Sequence, residues 1–182
     1  MARLRPEEWL ARLTDPSPRT RKRAVPRVCE LAAKDGSLLA ILREALRSPN
    51  TRAVFWMVSD IGSLGPRGRV AVPELVRVLE SHEAFGVRQA AVAALASVAP
   101  DDPQAKAAIF RAFADRSPHV RREALQAVIS VHDLSEEDLG RIKEMEADAD
   151  TDVARWSEIA LRNIRLGRAR ASEPSAPADR GR

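Results

Sequence analysis

Apolar positions recur at helical spacing along most of the chain. Val87, Ala91, Val92, Leu95 and Val98 are matched one unit later by Val120, Ala124, Leu125, Val128 and Val131. A shorter amphipathic segment precedes each long one: Glu7–Leu13, Ser37–Leu46, Val72–Leu79, Gln104–Phe113 and Glu136–Met145. No stretch alternates with period two, so the pattern predicts helices and no strands. Between each short and long segment lies a recurring start. Ser17-Pro18-Arg19-Thr20-Arg21 returns as Ser48-Pro49-Asn50-Thr51-Arg52 and as Ser117-Pro118-His119-Val120-Arg121, with degenerate copies at Ala84–Arg88 and Asp150–Ala154. Their last positions, 21, 52, 88, 121 and 154, are 31, 36, 33 and 33 residues apart. A serine or aspartate can accept from the free N–H groups of a helix start, and proline fits the first helical position. Each copy therefore predicts a helix start, and Gly65-Pro66 reads as a helix stop.

One helical hairpin cannot bury its own apolar stripe, but a stack of hairpins buries a continuous core between neighbours. The expected fold is all-α, a right-handed α-solenoid (superhelix) of about five two-helix repeats over residues 1–166. The run Ala90-Ala91-Val92-Ala93-Ala94 leaves room for close helix approach. The Ser/Pro/Ala-rich residues 167–182 are expected to form a disordered tail.

These residues resemble HEAT repeats, particularly the short bacterial (PBS-lyase-type) form also found in bilin lyases. The likeness covers roughly residues 6–166. It rests on an Asp six residues before an Arg (Asp15/Arg21, Asp115/Arg121) and on the Val-Arg-x-x-Ala that follows (Val87-Arg88…Ala91, Val120-Arg121…Ala124). The resemblance implies that Asp15, Arg21, Arg88, Asp115 and Arg121 belong to a structural ladder linking adjacent repeats. The second and fifth copies depart from it, with Leu46 for the Asp and Ala154 for the Arg. The tetratricopeptide Trp-Leu-Gly-Tyr arrangement and the ankyrin Thr-Pro-Leu-His are absent.

Composition narrows the function classes. The only cysteine, Cys29, excludes an internal disulfide framework and a cysteine-rich zinc site. His82, His119 and His132 share no ligand spacing, and no G-x-S-x-G or phosphate loop is present, so neither catalysis nor a metal or cofactor is expected. No apolar run approaches a membrane span, and the N-terminus lacks an apolar signal, so the expectation is a soluble cytoplasmic protein. Net charge is +4, with 30 basic against 26 acidic residues, but its distribution says more. Residues 1–30 carry eight basic and four acidic side chains, whereas residues 133–158 carry ten acidic and three basic. A basic track suited to nucleic acid is opposed at the acidic end.

The second long helix breaks the pattern. With a two-residue slip, Met57, Val58, Ile61 and Leu64 align with Ala91, Val92, Leu95 and Val98, leaving Trp56 and Asp60 on a shared, partly exposed face. With the Ser-Pro start fixing the register, Trp56 is core. Second helices usually line the concave side of a solenoid, its common binding surface. The candidate partner-binding residues are Arg23, Arg27, Trp56, Asp60, Gln89, Arg122, Gln126, Arg155 and Trp156, because a tryptophan beside arginines has hot-spot composition. The expected function is a non-catalytic protein-interaction scaffold whose partner is another protein with an acidic patch. Trp56-x-x-x-Asp60 also resembles an element of HEAT-like DNA glycosylases that remove alkylated bases, which implies nucleic-acid binding or repair as an alternative. A bilin-lyase-like chaperone is a third alternative, implied by family similarity alone.

Overall fold

The computed structural model describes residues 4–36 and 38–172. Among them, ten α-helices form five hairpins: α1 (Pro6–Leu13) with α2 (Pro18–Asp35), α3 (Leu39–Leu46) with α4 (Thr51–Gly62), α5 (Val72–Ser81) with α6 (Phe85–Val98), α7 (Pro103–Arg111) with α8 (Pro118–Ala127), and α9 (Glu136–Glu144) with α10 (Thr151–Ser172). The second helices α2, α4, α6, α8 and α10 pack in succession, as do α1, α3, α5 and α7, and the core lies between the two layers. This is an α-solenoid, the architecture expected of hairpins that can bury their stripes only against neighbours.

Local chemistry sets the helix starts, though not always through the expected atom. Proline occupies the first turn of α2, α7 and α8. Asn50 caps α4 by accepting from the Ala53 N–H at 3.1 Å, and Ser135 accepts from the Asp138 N–H at 3.1 Å. The side chains of Ser17 and Ser117, expected to cap α2 and α8, make no such bond. Asp15 and Asp115, two residues earlier, instead accept from the N–H groups of Ser17 (2.7 Å) and Ser117 (2.8 Å) and shape the turn before the helix.

Helix α6 is apolar on more than one side because α4, α5 and α8 all pack against it. Its alanines bring α4 close: a Cβ placed on Gly62 would lie 3.2 Å from the Ala94 Cα. Between α4 and α5 the chain makes a 3-10 segment, Gly65–Ala71. It opens on Gly65 in the left-handed region, at φ 54°, as a stop at Gly65-Pro66 requires.

The boundary expected at Gly167 is corrected. Helix α10 continues through Gly167 to Ser172. Arg168 donates to the Leu134 carbonyl and reaches Glu136 at 3.5 Å, which ties this extension to the start of α9. The rest of the predicted tail, residues 173–182, lies outside the described residues.

Candidate functional site

In the first, third and fourth repeats an arginine in the first turn of the second helix points inward. Arg88, 4% exposed, donates from one terminal nitrogen to the carbonyls of His82 (2.8 Å) and Glu83 (2.7 Å) in its own turn. Its Nε and other terminal nitrogen grip Asp115 of the next repeat at 2.7 and 2.8 Å. Arg121 repeats the arrangement, donating to the Asp115 carbonyl at 2.9 Å and gripping Asp148 with two bonds of 2.7 Å. Each arginine thus closes its own turn and joins it to the following one through a bidentate, charge-assisted pair. Burial pushes the Asp115 carboxyl up, but Arg88, the Ser117 N–H and Arg116 outweigh it and hold the group below the ordinary value. The Arg121 hydrogen bonds hold Asp148 low against a smaller desolvation effect.

The series is broken where the sequence is irregular. Arg21 donates to the carbonyls of Asp15 (2.8 Å) and Pro16 (3.0 Å), but the acid position of the next repeat is the buried Leu46. Asp60, on α4, takes that role and accepts from Arg21 Nε at 3.0 Å. The carboxylate of Asp15, expected to share a ladder with Arg21, accepts from the Ser17 N–H instead, because Arg21 points forward to the second repeat. In that repeat the two-residue slip puts Val54, fully buried, in the arginine slot and leaves Arg52 exposed. The next acid slot is His82, whose Nδ1 accepts from the Ala84 N–H at 3.1 Å, the turn-forming role the aspartates play elsewhere. Burial lowers the His82 pKa, so the neutral ring suits this acceptor role.

The slip also places Trp56. Met57, Val58 and Ile61 are fully buried, Phe55 is 41% exposed, and Trp56 is half-buried between the two environments. The Arg21 guanidinium lies 4.5 Å from the Trp56 ring centroid and that of Arg52 lies 5.8 Å away. Arg21, Arg52, Trp56 and Asp60 therefore form one cluster across the junction of the first two repeats.

The remaining candidates are spread along the second helices from α2 to α10. Arg27 is exposed and pairs with Glu30 at 2.7 Å, and Arg23 is exposed without an ion pair. Gln89 donates to Glu123 at 3.0 Å. Arg122 and Gln126 are half-buried on α8, and the enclosed Nε of Arg122 has no hydrogen-bond partner. Arg155 is exposed, and Trp156 is half-buried against the edge of the core. Arg88 is committed to Asp115, and α6 offers Ala90 and Ala93 in the middle of the layer.

The acidic last repeat is less of a free pole than its composition suggests. Asp148 is held by Arg121, Asp138 by Lys106 at 2.7 Å, and Glu136 faces Arg168. Sequence reasoning missed this second set of pairs among the first helices, which also includes Arg43–Glu74 (3.0 Å) and Arg111–Glu80 (2.6 Å). Its signal was opposite charge one repeat apart: both latter pairs are separated by 31 residues. Cys29 is buried, and burial pushes its thiol up to about 11, which leaves it unreactive near neutral pH. Among the described residues no cluster of His, Cys, Asp or Glu could hold a metal ion, and no helix is long and apolar enough to cross a membrane.

The paired layers and the inter-repeat arginine clamps define a helical-repeat solenoid. The model of HEAT repeats matches residues 6–96 and 72–162. The chain belongs to the HEAT-repeat family. No curated protein matches it in sequence. Among solved structures, it is similar to a chain of the CpcE–CpcF complex of phycocyanin lyase from Nostoc sp. PCC7120, at 20% identity and TM-score 0.60, covering 85% of this chain and 96% of that one. It is also similar to a computationally designed armadillo repeat protein for modular peptide recognition, at 19% identity and TM-score 0.55 over 86% of this chain and 80% of that one. A designed armadillo repeat protein in complex with the peptide (KR)4 aligns over the same shares at 20% identity and TM-score 0.53. At these identities the likeness is one of fold.

Proposed function

We propose that this solenoid is a non-catalytic, cytoplasmic protein-interaction module that presents its second-helix layer to another protein. The observation that carries the reading is the aromatic step on α4: Phe55 41% exposed beside a half-buried Trp56 that two arginines hold in place. A large aromatic fixed before the partner arrives loses little conformational freedom on binding, which is how hot-spot residues work. Arg23 and Arg27 at one end, and Arg122, Gln126, Arg155 and Trp156 at the other, extend the polar surroundings of that anchor. The designed armadillo proteins of similar fold, one built for peptide recognition and one bound to (KR)4, support the use of such a layer for extended chains. Asp60 serves as the ion-pair partner of Arg21, so the Trp-x-x-x-Asp spacing is accounted for without catalysis.

The test is affinity capture from the source organism with the wild-type chain and with Trp56→Ala combined with Arg23→Glu. The reading expects a specific protein to be retained by the wild type and lost with the double variant. A partner retained equally by both would overturn the assignment of the surface.

A further inference from the structure

Each interior repeat covers its backward-facing side with the repeat before it. Asp60 receives Arg21, Ala94 abuts Gly62, and Glu123 receives Gln89. Aligned on the buried stripe, the corresponding positions of the first repeat are Arg27 for Asp60 and Ala94, and Arg23 for Glu123. No element among the described residues covers them. They open instead onto a cleft of about 350 Å³ between α1 and α2, lined by Trp9, Arg12, Arg19, Arg23 and Arg27 together with small residues of α2. Arg12, Arg19 and Arg23 make no ion pair, Arg27 has only its helix neighbour Glu30, and no carboxylate lines the cleft. Trp9 is half-buried on the core and supplies an apolar wall.

We infer that this cleft is an open inter-repeat slot that receives an acidic helical segment of a partner protein, its carboxylates on Arg12, Arg19 and Arg23 and an apolar side chain against Trp9. The proposal rests on the interaction-module reading and names the chemistry of the partner. A helical occupant follows from what fills the same slot in repeats two to five. Carboxylates follow from unpaired guanidiniums that form planar, bidentate pairs. A nucleic-acid backbone fits less well, because the cationic run stops at this end. The next positions along the layer are Asp60, Ala90 and Glu123, so there is no extended phosphate track.

The experiment is fluorescence anisotropy of a labelled, helix-forming peptide in which Glu residues flank a Leu, titrated with the full chain. Its controls are the same peptide with Gln for Glu and a single-stranded oligonucleotide. Arg12→Glu combined with Arg23→Glu should weaken binding of the acidic peptide roughly thirty-fold, since reversing contact charges acts directly on such complexes. Arg67→Glu, an exposed arginine of the second repeat, matches the chemistry of the change away from the cleft and should leave affinity within about two-fold. Equal losses from Arg67→Glu, no binding of the acidic peptide, binding of the Gln peptide as tight as the Glu peptide, or tighter binding of the oligonucleotide through the same arginines would each overturn the proposal. A captured partner that depends on Trp56, with no peptide binding, removes the cleft and leaves the module reading in place. Peptide binding without any Trp56-dependent partner supports the cleft and removes only the surface assigned around Trp56.

Discussion

Arg88 does three things at once: it closes a turn, neutralises Asp115 and joins two repeats. Removing it strands a largely buried carboxylate, so Arg88→Ala should cost about 3–5 kcal/mol in denaturant unfolding. Replacing both partners by apolar residues of similar size, Arg88→Met with Asp115→Leu, should recover much of that loss, because neither charge is then left unpaired. The same pairs set the response to acid. Asp115 and Asp148 are held below the ordinary aspartate value of about 4, so the unfolded chain takes up their protons first. Their stabilisation is complete above that value and is lost as pH falls through the lower, folded-state pKa. Melting temperature followed from pH 7 to pH 3 should therefore drop on the acid side. Asp148→Asn should melt lower at pH 7 and show a shallower acid limb. An acid limb unchanged in that variant would contradict the account. The positions of these arginines were legible in the sequence because they recur at repeat spacing, and their pairing was implied by the resemblance to HEAT repeats. The partner of Arg21 was not, because Leu46 removed the expected acid and Asp60, on a different element, replaced it.

Helix α4 shows how an element keeps its packing while its start motif changes phase. The Ser-Pro start and the apolar stripe disagree by two residues, and the stripe wins because burial of Met57, Val58 and Ile61 outweighs one misplaced arginine. Ile61→Ala should accordingly cost about 2–5 kcal/mol, whereas Phe55→Ala should change stability by less than about 1 kcal/mol. Urea unfolding of the two variants measures both, and the reverse order would place α4 in the other register. The turn after α4 is equally constrained. A Cβ on Gly68 would sit 2.8 Å from Val98 Cγ1 and 2.9 Å from the Ile61 carbonyl oxygen. Gly68→Ala should destabilise by about 1–3 kcal/mol, as overpacking does, read by the same unfolding assay. The first and second helices were readable from periodicity and punctuation. The end of α10 was not: Gly167 and the alanine- and serine-containing run after it look like a tail, and the contacts of Arg168 with Leu134 and Glu136 are made far away in sequence.

At the scale of the molecule, the sequence showed one strongly basic and one strongly acidic end. The structure keeps the first and partly neutralises the second: three arginines of the first repeat stay unpaired around Trp9, while Asp138 and Asp148 have cations from the preceding repeat. That asymmetry arises from stacking, since the last repeat has a neighbour to pair with and the backward side of the first has none among the described residues. Between these ends the aromatic step at Phe55 and Trp56 stands beside the small side chains Ala90 and Ala93 of α6 and the Gln89–Glu123 pair. The most direct test of the account is site-specific photocross-linking in the source organism, with a photoreactive residue in place of Phe55 and, as the control, in place of the exposed Arg67. The account predicts a discrete cross-linked protein from position 55 that is missing from position 67 and diminished by Trp56→Ala. Cross-linking from position 67 alone, or none from position 55, would contradict the claim that the second-helix layer is the interaction surface.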